Sequence, residues 1–166
     1  VPEHPTSGDV APDFSLIDTD GKPVDLGEYL GRGYLVLAFG SASSAHFRET
    51  APELEVLAKD WERMGVRVLI VYTREAHPAT LRGASPKSYK ERTALARQTR
   101  RNLKVDLRFL VDGWDDAVHK AYGSMPDGAF LLDPKGVIVI RQVQSRVSTL
   151  DRELRRALKV SDPPAP

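Results

Sequence analysis

The stretch that decides the fold is 34–72, YLVLAFGSASSAHFRETAPELEVLAKDWERMGVRVLIVY. It opens on a nearly uninterrupted apolar run, Tyr34 to Phe39, and closes on a second one, Val66 to Tyr72. Short apolar runs rich in valine, leucine and isoleucine read as strands buried on both faces. Between them Leu54, Leu57, Trp61 and Met64 recur at helical spacing, and Gly65 stops the pattern. Two buried strands joined by a helix form a βαβ unit, so the sheet has a parallel core. Open sheets of this kind bind ligands at the carboxyl ends of their strands. The segments after Phe39 and after Tyr72 are therefore where chemistry is expected.

Working outward, residues 1–12 carry Pro2, Pro5 and Pro12 and read as an extended lead-in. Phe14, Leu16, Val24 and Leu26 alternate around Asp18-Thr19-Asp20-Gly21, which predicts a hairpin. Asp18, Asp20 and Gly21 share the opening of a calcium loop but lack its later glutamate ligand, so a plain turn is the reading. Downstream, 76–85 reads as a loop, and Ser85-Pro86 predicts a helix start with proline at the first position, running towards Leu103. A third strand follows at Leu107 to Val111, then a short helix from Asp115 to Tyr122 closed by Gly123. Ala129–Leu132 and Val137–Ile140 predict a hairpin around Asp133-Pro134-Lys135-Gly136. The last helix opens near Ser148 and carries Leu150, Leu154 and Leu158. The domain is expected over 13–160, with a disordered proline-rich tail at 161–166.

Composition fits this reading. The 166 residues suit one domain with one substantial core. A formal net charge of +1 gives no electrostatic case for nucleic acid as a partner. Arg97, Arg100, Arg101 and Lys104 read as a solvated helix face. No apolar run is long enough for a membrane span. The chain contains no cysteine, which removes disulfides and thiol chemistry but fits any compartment. His4, His46, His77 and His119 are scattered without ligand spacing, so no metal site is expected.

A βαβ unit followed by a β-hairpin and a packing helix is the thioredoxin-like arrangement, an α/β fold. The N-terminal hairpin and the additional central helix match its peroxiredoxin-type elaboration. Three segments resemble the iodothyronine deiodinases and their bacterial relatives within that group. Phe39-Gly40-Ser41-Ala42-Ser43-Ser44-Ala45-His46-Phe47 is similar to the family's active loop, Phe-Gly-Ser-x-Thr-(selenocysteine or Cys)-Pro-Pro-Phe. Val71-Tyr72-Thr73-Arg74-Glu75-Ala76-His77-Pro78 is similar to its Val-Tyr-Ile-Glu-Glu-Ala-His-Pro. Val111-Asp112, then Ala121-Tyr122-Gly123-Ser124-Met125-Pro126, is similar to a stretch ending in Tyr-Gly-Ala-Leu-Pro.

The resemblance implies a reductive oxidoreductase with its nucleophile at position 44 and a thiol reductant as co-substrate, without a bound cofactor. It implies that Ser43 hydrogen-bonds the nucleophile, that Glu75 and His77 assist it, and that Ser41, His46, Phe47, Arg74, Met125 and Pro126 contact substrate. It also implies a cis peptide at Met125–Pro126. A small-molecule substrate is the expected partner, and a homodimer is compatible with the reading. The departures are equally specific. Ser44 stands at the nucleophile, Ala45 and His46 replace the two prolines, Arg74 replaces the first glutamate, and Ala79-Thr80-Leu81 replaces the family's Asp-Gly-Trp. A serine hydroxyl neither ionises near neutral pH nor climbs the sulfur oxidation ladder, so this form is redox-inactive. Two readings follow. In one, a cysteine or selenocysteine has been exchanged for Ser44; in the other, the chain is a natural non-catalytic binding module. A serine hydrolase is a minor third, because 40–44 lacks the Gly-x-Ser-x-Gly elbow.

Overall fold

A computed structural model describes residues 4–165. The strands are β1 (Ser15–Asp18), β2 (Pro23–Asp25), β3 (Leu35–Gly40), β4 (Arg67–Tyr72), β5 (Arg108–Val111), β6 (Ala129–Leu132) and β7 (Ile138–Gln142). The helices are α1 (Ala45–Trp61), α2 (Tyr89–Leu103), α3 (Ala117–Ala121) and α4 (Val147–Leu158). One seven-stranded sheet runs in the order β2-β1-β5-β4-β3-β6-β7. β3, β4 and β5 are parallel, while β1 and β6 flank them antiparallel. This is the thioredoxin-like topology with the expected N-terminal hairpin. No helix among the described residues is long and apolar enough to cross a membrane.

Side chains alternate across the pleat, so each central strand feeds two cores. Val36 and Ala38 of β3 join Leu54, Leu57 and Trp61 of α1, Ala96 of α2, and Leu150 and Leu154 of α4 on one face. Leu35, Leu37 and Phe39 join Phe14, Leu26, Val118, Tyr122 and Met125 on the other. Residues 4–12 turn at Thr6–Asp9, where Asp9 N donates to Thr6 O at 3.0 Å, and then meet the start of β7, where Val10 bridges Val137 and Ile138 N donates to Asp9 O at 2.9 Å.

Two sequence expectations are corrected. α2 starts at Tyr89 and not at Ser85-Pro86, because Ser88 is the better cap: its Oγ accepts from Glu91 N at 3.2 Å. The Met125–Pro126 peptide is trans, and no cis bond occurs among the described residues. Gly123 (φ 101) and Ser124 (φ 57) both take left-handed backbone and turn the chain out of α3 by themselves.

Candidate functional site

Sheet register fixes the site. Gly40 pairs with Tyr72, and Tyr72 with Val111, so three parallel strands end in one row. The loops that follow, Ser41–Ser44, Thr73–His77 and Asp112–Asp116, therefore lie at the carboxyl edge of the sheet; the first two are expected there from the sequence, and the third is added by the structure.

Hydroxyls stitch the first two loops together. Ser41 Oγ accepts from Ala76 N at 3.1 Å, and Ser43 Oγ accepts from His77 N at 3.0 Å. Glu75 returns the contact, accepting from Ser43 N at 2.9 Å and from the Tyr72 hydroxyl at 2.6 Å. That hydroxyl also accepts from Ala42 N at 2.9 Å. Tyr72 is fully buried, and burial together with the Glu75 carboxylate pushes its phenol far above the usual range. It is a neutral hydrogen-bond relay at neutral pH. Ser43, expected to bond position 44, instead spends its hydroxyl on His77 N. His77 reaches the site through its backbone, and its side chain is exposed.

Ser44 is the N-cap of α1, with its Oγ accepting from Phe47 N at 3.1 Å. The same Oγ donates to Asp127 Oδ1 at 2.5 Å, a length typical of a charge-assisted O–H···O⁻ bond. Only 1% of Ser44 is exposed. Its hydroxyl is thus engaged both as donor and as acceptor. Asp127, just past Pro126, was not singled out from the sequence because its link to Ser44 spans 83 residues.

Other expected site residues are placed elsewhere. Phe47 is buried beneath Gly40 and packs edge-on to Phe109 at 5.9 Å. Met125 is buried in the second core. His46 Nε2 lies 2.8 Å from Ser145 O and ties α1 to the segment before α4. Arg74 and Pro126 do line open space, in a cavity of about 350 Å³ with Glu75, Pro78, His119 and Lys120.

The third loop is held by two buried charges. Asp112 accepts from Gly113 N, Val118 N and His119 N at 2.9, 3.1 and 2.9 Å, which fixes the start of α3. Burial still pushes its carboxyl above the usual range, against those three donors. Arg92 donates to Asp112 O and Gly113 O at 3.2 and 2.7 Å. Its Nη2 lies 3.0 Å from Asp116 Oδ1, an ion-pair contact without the angle of a directed hydrogen bond. The Arg92 guanidinium covers the Trp114 ring at 4.6 Å.

The chain is similar to several known proteins. The Mycobacterium tuberculosis protein named "Putative peroxiredoxin Rv2521" is 28% identical over 161 residues, covering 93% of this chain and 96% of the relative. Two solved structures share the fold. One is the M. tuberculosis peroxidoxin BcpB, with TM-score 0.71, 18% identity, and 94% and 97% of the two chains covered. The other is the thioredoxin domain of a Bacteroides vulgatus thiol-disulfide oxidoreductase, with TM-score 0.69, 20% identity, and 89% and 96% covered. Residues 7–141 match the model of the AhpC/TSA family. That match spans the sheet from β1 into β7 and includes the carboxyl edge where the three loops meet, so this cysteine-free, thioredoxin-fold chain belongs to the oxidoreductase-like AhpC/TSA family.

Proposed function

We propose that this chain is a non-catalytic, ligand-binding member of its family, with Ser44 a structural cap in the place of a redox nucleophile. The observation that carries the reading is the Ser44–Asp127 contact at 2.5 Å, made by a residue that is 1% exposed. A thiolate at this point would gain at most about 2 kcal/mol from the start of α1. It would face the Asp127 carboxylate at a cost on the order of 5 kcal/mol, at about 3 Å and an effective dielectric of about 20. Even halved for the solvent reaching half-buried Asp127, the repulsion is larger, and burial adds to it. The pair suits a neutral hydroxyl that donates and disfavours an ionised chalcogen.

The test is Ser44→Cys. Its thiol is expected to titrate above the free-cysteine value of about 8.5. No hydrogen peroxide or model disulfide is expected to be consumed in the presence of dithiothreitol. A thiol titrating well below that value, with turnover, overturns the reading.

A second reading keeps the deiodinase-like chemistry, with a cysteine or selenocysteine exchanged for Ser44. Glu75 and His77 favour it, because both contact Ser43, the neighbour of the nucleophile position. In that reading the chalcogen attacks the substrate, a thiol closes the cycle, and the Ser44→Cys protein is an active reductase.

A further inference from the structure

We infer that the cavity beside Trp114 is a binding site for an uncharged ligand that carries a flat aromatic ring. The inference deepens the ligand-binding reading by naming a ligand class at the same sheet edge, and nothing in it depends on Ser44. A redox-competent Ser44→Cys protein would overturn that reading and leave this site standing.

The first observation is how Trp114 is held. The residue is 47% exposed, whereas Arg92, whose guanidinium lies 4.6 Å from the ring centroid, is 4% exposed. The cation therefore backs the indole from inside, and the exposed part of the ring is the part turned away from it. Arg92 is itself fixed by Asp112 O, by Gly113 O and by Asp116. Gly113 directly precedes Trp114, so one buried side chain holds both the ring and the backbone that carries it. A ring ordered on folding loses little freedom when a ligand stacks on it, and such preorganisation favours binding. The cation beneath the ring also draws π density inward. The outer face is then poor in electrons, which suits offset stacking with a flat ring and disfavours a second cation.

The second observation is the cavity that Trp114 borders. It measures about 320 Å³, within the range of small-molecule sites, and Pro78 and Pro86 give it stiff apolar walls. Single exposed apolar residues are ordinary, but here a tryptophan and two prolines surround one concavity. Ser85-Pro86, which does not serve as the start of α2, forms part of this wall. The third observation is charge. The lining holds two cations, Arg74 and Arg92, and two carboxylates, Glu75 and Asp116. Asp116 lies 3.0 Å from Arg92 and 3.7 Å from Arg74, while Glu75 accepts from the Tyr72 hydroxyl and Ser43 N. A charged ligand would be attracted by one sign and repelled by the other, so the balanced lining favours a neutral one. The exposed Arg74 fork and the Ser85 hydroxyl supply polar contacts for the edge of a heteroaromatic ring.

The test uses adenosine, a neutral flat ring with donors and acceptors on its edge, and reads tryptophan fluorescence. Of the two tryptophans Trp61 is fully buried, so quenching reports Trp114. Adenosine is expected to quench saturably, with a Kd on the order of 1 mM. Ribose, which lacks the flat ring, should give no quenching. Adenosine monophosphate, the same ring with a dianion attached, should bind no more tightly than adenosine. By equilibrium dialysis Trp114→Ala is expected to weaken adenosine about tenfold, and Trp114→Phe, which keeps a flat ring, to stay within about threefold of the unaltered protein. The absence of saturable quenching overturns the proposal. So does equal quenching by ribose, tighter binding of the monophosphate, unchanged binding to Trp114→Ala, or a loss in Trp114→Phe as large as that in Trp114→Ala.

Discussion

Gly40 and Ser44 stand at either end of the turn from β3 into α1, and each answers to a different demand. Gly40 is required by space, since a Cβ there would come within 2.0 Å of Phe47 Cδ1. The ring is trapped between Gly40 and Phe109 and cannot swing away cheaply. Gly40→Ala is therefore expected to destabilise the fold by about 1–3 kcal/mol, read from the midpoint of urea denaturation, through overpacking. A change below about 0.5 kcal/mol would show that Phe47 has a second rotamer available. Ser44 answers to hydrogen bonding, and its partner could not be read locally. The sequence around 39–47 shows a loop before a helix, but nothing in it points to Asp127. The same limit explains His119. Read along the chain it is one of four scattered histidines, and only the fold brings Arg74 and Lys120 to the same wall.

At the level of elements, the central strands and the α1 stripe were legible because burial imposes its period directly on residue type. The start of α2 is ambiguous in the sequence because two serines compete for it, and the Ser88/Glu91 pair makes bonds that Ser85-Pro86 does not. α3 is the least legible, since the side chain that fixes its first turn belongs to Asp112, before the helix begins. This short helix also has a pH dependence. Burial lowers the His119 imidazole below its usual value of about 6.5, with Arg74 adding to burial, while Asp112 and Asp116 oppose it. The unfolded chain then binds a proton more readily than the folded one. Stability from His119 is fully present above pH 6.5 or so and is lost as pH falls through the folded value. Asp112, raised by burial, acts in the opposite sense: its contribution is present below about pH 3.9 and is lost as pH rises through its folded value. The expected result is a melting temperature that drops on acidification below about pH 6.5. His119→Gln should flatten that part of the curve while leaving the Asp112 contribution in place. Parallel profiles for the two proteins would remove His119 as the cause.

For the whole molecule, residues 7–141 place the chain in the AhpC/TSA family, while position 44 is a serine and the sequence holds no cysteine. The scaffold, with three parallel strands ending in one row and three loops following them, is intact in a chain without cysteine. The paired hydroxyls of Ser41 and Ser43 make that edge more than a docking of surface loops. Although His77 is exposed, its amide proton and that of Ala76 are each held by a buried serine oxygen on the neighbouring strand's loop. In deuterated solvent these two amides should therefore exchange with the slowness of the sheet and not at the rate of an open loop. Ser41→Ala is expected to release only the Ala76 amide and Ser43→Ala only the His77 amide. Fast exchange at both positions in the unaltered protein would mean that the two loops part on their own, well before the domain unfolds.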